Sequence, residues 1–231
     1  MDKTGKILRI AAIILLGMTA AMNLLGGIGT TCAAFSDNVG YRLAFKELLD
    51  YRWLYQILVV TTILIGLAGI WGLIKLIRGG TKAYRDVLII LVLGTILAGV
   101  HYFASLALRG KAAPANVKFY INIFTLIVFL VFKLPGVREK VNFLNPGSKN
   151  ETNAAIGVTA ITAGLLMLTV FHWAAPSHTF FQENWTYEFY GPLVVIGAIL
   201  LLWGISLIGK VVIGILAPQV KLVKPQTAST R

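Results

Sequence analysis

The sequence is poor in charged residues, and in acidic ones above all. Only 13% of its 231 residues are charged, and just nine of them are Asp or Glu, whereas about 25% of an ordinary soluble domain is charged. Because 57% of the residues are hydrophobic, there is too little polar surface to coat the apolar side chains of a soluble protein. This composition excludes a soluble globular enzyme, and its hydrophobicity excludes a disordered chain.

Cysteine and the common catalytic motifs are also scarce. With Cys32 alone, the chain has neither an intrachain disulfide nor a thiolate cluster for zinc or iron–sulfur. It contains no G-x-x-x-x-G-K-[ST] loop, H-E-x-x-H pair or G-x-S-x-G elbow. Its cations interrupt apolar runs and form no basic face, so we expect no nucleic-acid partner. These absences favour a protein that is not an enzyme.

Long apolar runs, by contrast, are abundant. A helix needs about 20 apolar residues to cross a bilayer, and six runs reach roughly that length. We therefore predict an all-α, polytopic integral membrane protein, a bundle of six transmembrane helices forming one unit over 1–217, with a tail over 218–231. The predicted spans are about 7–28, 54–74, 87–108, 115–134, 154–175 and 192–217.

The first and fourth predicted spans have basic residues at or near their ends. The basic start before the first run resembles a signal peptide, but the run continues to about Phe35 and is too long for one, so we expect it to be retained as a membrane helix. The fourth span is the weakest prediction because it contains Lys118 and Lys133. We expect both lysines to snorkel, extending their ammonium groups to the membrane surface.

The segment 36–53 is too polar to span the bilayer. The apolar residues of this segment recur at helical spacing, and charged residues fall on the opposite face. The apolar set is Phe45, Leu48, Leu49 and Trp53. The pattern predicts a short amphipathic helix lying on the outer interface after the first span; an ordered loop is the alternative.

The distribution of cations predicts the orientation. With a cytoplasmic N-terminus, 15 of the 21 lysines and arginines lie on the cytoplasmic side and six on the outer side. This positive-inside bias predicts a multi-pass protein of the plasma membrane with both termini in the cytoplasm. The outer six are Arg42, Lys46, Arg52, Arg109, Lys111 and Lys118.

A polar stripe is the main candidate for a functional site. His101, Ser105 and Arg109 stand at i, i+4 and i+8 and share one face of the third span. A polar stripe faces the bundle or a watery cavity, since exposure to lipid is costly. With Asn122 opposite and Asn23 in the first span, we predict an outer vestibule that binds or moves a small polar or anionic solute, with Arg109 as its charge anchor. Alternatively, these groups only hydrogen-bond one helix to another.

Two other classes of function stay open. His101 and His172 are candidate haem ligands, and His172, His178 and Glu183 are candidate ligands of copper or zinc, although no cofactor at all is the simplest expectation. This alternative describes a redox or metal-bearing membrane subunit. The third class is a structural or accessory subunit of a larger membrane complex. Its partners would be the lipid bilayer and other membrane subunits.

Overall fold

The computed structural model describes residues 3–222, and its long elements are all α-helices. Five helical segments are long and apolar enough to cross a membrane, which makes the chain a helical membrane protein. The long helices are α1 (Lys3–Phe35), α3 (Arg52–Arg78), α4 (Ala83–Arg109), α5 (Ala115–Val131), α6 (Lys149–Leu168) and α9 (Tyr190–Leu222). The short elements are α2 (Val39–Ala44), α7 (Val170–Trp173), α8 (Ala175–His178), β1 (Thr179–Phe180), β2 (Glu183–Asn184) and the 3-10 helices Lys46–Tyr51 and Trp185–Phe189.

The long helices form a four-helix unit and an attached hairpin. Helix α1 packs against α3 and α5, and α4 packs against the same two helices, so the four form a closed ring. Helices α6 and α9 pack mainly on each other, and α6 joins the hairpin to α1. The four-helix unit therefore has an interior that is shielded on all sides.

Glycine lets the two helices of the hairpin approach closely. A Cβ atom on Gly164 would stand 2.7 Å from the carbonyl oxygen of Gly197, and one on Gly204 would stand 2.7 Å from that of Gly157. Real Cβ atoms do not come so close to a backbone, so larger residues at these positions would push α6 and α9 apart. Small residues of this kind drive helix association where the lipid offers no hydrophobic force.

Arg9 holds the C-terminus of α3 in place within the bundle. Its side chain is 2% exposed and donates hydrogen bonds to the carbonyl oxygens of Leu76 at 2.9 Å, Ile77 at 3.3 Å and Asn145 at 2.8 Å, and to that of Asn142. The carbonyls at a helix C-terminus lack partners within the helix, and a cation there is favourable. Arg9 therefore ties the end of α3 to the loop before α6.

The segment 36–53 folds as two short helices, α2 and the first 3-10 helix. Tyr41, Phe45 and Leu48 are buried against the ends of α1 and α3, and burial raises the pKa of Tyr41. Arg52 binds Asp37 at 2.9 Å. The segment caps the end of the four-helix unit; its place on a membrane interface stays a prediction.

Helix bounds differ from the predicted spans in two places. The run predicted over 154–175 is divided, because α6 ends at Leu168 and α7 and α8 follow as separate short helices. Helix α5 has 17 residues and is shorter than the five segments that are long enough to cross a membrane. The predicted tail, 218–231, lies outside the described residues beyond Leu222.

Candidate functional site

A column of polar side chains runs inside the four-helix unit. It begins near the middle of α1 and α5 and continues toward the end where α4 meets α5. The hydrogen bonds are Thr19 to Thr125 at 2.8 Å, Asn23 to Asn122 at 3.0 and 3.2 Å, Lys118 to Thr62 at 3.1 Å, Lys118 to His101 at 2.9 Å, and Tyr55 to Ser105 at 3.0 Å.

Helical spacing places these groups on the inner faces. On α5, Lys118, Asn122 and Thr125 stand at i, i+4 and i+7, which is one face of a helix. Tyr120 and Phe124 lie on the opposite face and are exposed. The same helix thus presents an apolar face outward and a polar face to the bundle.

Lys118 is the centre of the column. Its side chain is 3% exposed, so the expectation that it snorkels is wrong. Its Nζ atom instead contacts Thr62 Oγ1 and His101 Nδ1. A Cβ on Gly26 would stand 3.1 Å from Lys118 Cδ. The absence of a side chain at Gly26 makes room for the lysine stem to turn inward.

The charge of Lys118 has no carboxylate beside it. Within the described part of the chain, neither Lys118 nor Arg109 lies within 4 Å of an acidic oxygen. An ammonium group has three hydrogens, and two have acceptors in the protein. The third has none among residues 3–222, and it is available to a ligand.

Arg109 lies at the end of the same face of α4 as His101 and Ser105. Its guanidinium carbon is 5.0 Å from the ring centroid of Phe45, a cation–π distance. The N-terminus of α5, which begins at Ala115, faces the same space and adds the positive end of a helix dipole. Three positive features therefore converge on one end of the four-helix unit.

Two small cavities adjoin this charge. A polar cavity of about 30 Å³ is lined by Tyr55, His101, Ser105 and Arg109. A mostly apolar cavity of about 80 Å³ is lined by Lys118 together with residues of α1, α7 and α9. Both are bounded by Gly29, Pro114 and His178. Since one water needs about 10–15 Å³ of such volume, the polar cavity has room for a ligand of only a few atoms.

The structure divides the predicted vestibule residues into two groups. His101, Ser105 and Arg109 line the polar cavity together. Asn23 and Asn122 hydrogen-bond each other deeper in the bundle, and Asn122 also donates to the carbonyl oxygen of Lys118 at 2.8 Å. The two amides therefore close the inner end of the site and hold Lys118 in place.

The candidate metal ligands do not come together as a set. His101 and His178 line one cavity, whereas His172 is exposed on α7 and lines neither cavity. The ammonium of Lys118 is hydrogen-bonded to Nδ1 of His101, so that nitrogen is not free to bind a metal ion. In the region between residues 3 and 222, no group of three or more His, Cys, Asp or Glu side chains is placed to hold a metal ion.

Four residues of the site were not predicted from the sequence. Lys118 was predicted to extend to the membrane surface, and Thr19 on α1 and Thr62 and Tyr55 on α3 were not among the candidates. Lys118 shares an i, i+4, i+7 face with Asn122 and Thr125, and that spacing is a signal that points it inward.

Comparisons with protein-family models, with curated proteins and with solved structures find no match for this chain.

Proposed function

We propose that this protein binds a small anion at the site formed by Lys118, Arg109 and the start of α5, and holds or moves it within the membrane. One observation carries the proposal. The Lys118 ammonium is buried inside a helical bundle, with two neutral hydrogen-bond partners and no acidic partner in the described residues. An ionisable residue at such a place is a functional group by default.

The positive charge of the site favours an anion over a neutral solute. Burying a charged group without a partner of opposite charge is unfavourable, and hydrogen bonds from neutral groups offset only part of that cost. Arg109 and the N-terminus of α5 add positive potential in the same low-dielectric space. Glu47 attracts Arg109 from a distance, but it forms no ion pair with it. A bound anion would supply the missing charge.

The dimensions of the site limit the size of the anion. The polar cavity of about 30 Å³ accepts a halide, a nitrate or a short carboxylate without rearrangement. Its hydrogen-bond donors are Arg109 and whichever of the Tyr55 and Ser105 hydroxyls does not donate to the other. The ammonium of Lys118 lies behind His101. We propose that Arg109 holds the anion directly at the outer side, and that the charge of Lys118 attracts it from the inner side, across His101.

We further propose six membrane spans in the plasma membrane, with both termini in the cytoplasm. Helix α5 is the sixth span besides the five long ones: its 17 residues extend about 25 Å at 1.5 Å per residue. It packs between α1 and α4 and has an apolar outer face. The cation distribution favours this orientation, which places the anion site toward the outside.

Cysteine labelling tests the orientation. In a Cys32→Ala background, Lys111→Cys and Lys140→Cys each place one thiol at an exposed position. We expect a membrane-impermeant maleimide added to intact cells to label the first variant and not the second. The reverse pattern would invert the topology, and labelling of both would show that the protein inserts in two orientations.

Arg109→Ala tests the site at its outer side. We expect nitrate and acetate to raise the Tm of the purified protein, measured against gluconate at constant ionic strength. In Arg109→Ala we expect this stabilisation to disappear, since a charge-assisted hydrogen bond contributes about 1.5–3 kcal/mol, while the Tm without anion changes little.

Arg42→Ala is the matched control for that experiment. Arg42 is an exposed arginine on α2 near the same end of the bundle, and its removal should leave the response to anions intact. An unchanged response in Arg109→Ala would remove Arg109 from the proposed site.

A further inference from the structure

A wide cavity with a basic rim lies at the opposite end of the four-helix unit from Arg109. It measures about 650 Å³, against about 80 and 30 Å³ for the two cavities beside Lys118. Its walls are the turn between α3 and α4, the end of α5, and the loop 138–144. No part of the anion site contributes to it, so the two sites are independent.

The rim of this cavity carries excess positive charge. Arg85, Lys133 and Arg138 line it, with Glu139 as its acidic residue. The guanidinium of Arg85 lies 3.1 Å from the carboxylate of Asp86, and the same carboxylate binds the ammonium of Lys75 at 2.6 Å. In the described part of the protein, Lys133 and Arg138 lie within 4 Å of no acidic oxygen. These two cations are therefore available to a ligand.

The floor of the cavity is apolar and fixed. The rings of Tyr84 and Phe143 stack with centroids 5.7 Å apart, and Tyr84 donates its hydroxyl to the carbonyl oxygen of Phe129. The N–H of Gly80 donates to the carbonyl oxygen of Phe143 at 3.1 Å. Arg9 holds the same loop through Asn142 and Asn145. The cavity is thus formed before any ligand binds, which reduces the ordering cost of binding.

We propose that this cavity binds a phosphate dianion, either the phosphomonoester headgroup of an anionic lipid or free inorganic phosphate. A guanidinium matches a phosphate with two parallel hydrogen bonds, and an ammonium adds a compact charge. Arg138 and Lys133 offer one of each, and Arg85 adds a second guanidinium. Basic pockets among membrane helices bind phosphorylated headgroups by the same chemistry.

The two sources of the group are separated by reconstituting the full chain in phosphatidylcholine nanodiscs. One arm adds phosphatidic acid to the lipid, and native mass spectrometry counts the molecules that stay bound to the released protein. The other arm adds inorganic phosphate to pure phosphatidylcholine nanodiscs and follows the Tm. Retention of phosphatidic acid supports a lipid headgroup, whereas stabilisation by phosphate alone supports the soluble ion.

Arg138→Gln and Lys140→Gln form a matched pair. Both remove one exposed cation from the same loop, but Arg138 lines the cavity and Lys140 does not. We expect Arg138→Gln to weaken binding about tenfold, the equivalent of one charge-assisted hydrogen bond, and Lys140→Gln to change it less than about twofold. Lys133→Gln gives the same test from the α5 side if Arg138→Gln does not fold.

Two results would overturn the proposal. Binding of neither phosphatidic acid nor phosphate by the unaltered chain would show that the cavity has no such ligand. Equal weakening by Arg138→Gln and Lys140→Gln would show a diffuse attraction to surface charge and no site.

Discussion

Replacing Lys118 by methionine is expected to abolish anion binding and to leave the bundle folded. Removing one partner from a buried charge pair typically costs 2–5 kcal/mol, so we expect affinity to fall by about 100-fold or more. Methionine keeps the length of the stem over Gly26 but has no charge. Removing the unpaired ammonium stabilises the folded protein. Removing its hydrogen bonds to Thr62 and His101 destabilises the folded protein by about 1–3 kcal/mol for each bond. The two effects oppose each other, so the Tm should move by only a few degrees.

The measurement is the anion-induced rise in Tm, with Lys111→Met as the control. Lys111 is exposed in the loop just before α5, and its loss removes the same charge from the same end of the bundle. We expect Lys111→Met to respond to nitrate as the unaltered protein does. A full response in Lys118→Met would show that the buried lysine takes no part in binding.

Replacing Arg9 by alanine should have the largest effect on stability. Four carbonyl oxygens, two at the end of α3 and two in the loop before α6, receive hydrogen bonds from this buried guanidinium. Losing these charge-assisted hydrogen bonds and leaving buried carbonyls without donors is expected to cost about 3–5 kcal/mol, or a Tm lower by roughly 10 °C for a chain of this size. Arg9→Lys should recover little of this loss, because an ammonium cannot reproduce the planar fork of donors.

Lys6→Ala controls for the loss of positive charge near the start of α1. Lys6 is largely exposed and lies 3.5 Å from Glu151, and surface ion pairs of this kind contribute about 0–1 kcal/mol. We expect its Tm to stay within about 2 °C of the unaltered protein. If Arg9→Ala and Lys6→Ala lowered the Tm equally, the stabilising role assigned to the Arg9 hydrogen bonds would be wrong.

Hydropathy predicts the helices of this fold well, because burial in lipid requires long apolar runs whatever the packing. Each predicted span overlaps a helix of the structure, including the fourth, which contains Lys118. The division after Leu168 could not be predicted, since the apolar composition continues through α7. There α7 packs on the 3-10 helix Trp185–Phe189 and on Leu193 and Val194 of α9, contacts that only the tertiary structure brings together.

The candidate site was predictable in part for the same reason. The stripe of His101, Ser105 and Arg109 on α4 follows from helical periodicity, and the structure places the three at one cavity. The spacing of Lys118, Asn122 and Thr125 indicates one face of α5, but periodicity alone does not determine whether the lysine side chain stays inside the bundle. A lysine near a helix end can snorkel or turn inward, and the choice depends on the space beside Gly26 and on acceptors from α3 and α4. Those neighbours are brought together only by the tertiary structure.

The central claim is that an anion binds between Lys118 and Arg109, and anomalous diffraction from crystals of the full chain soaked in bromide tests it most directly. We expect an anomalous peak in the polar cavity lined by His101 and Ser105, and its loss in crystals of Lys118→Met. Peaks confined to the protein surface, with none in this cavity, would contradict the claim.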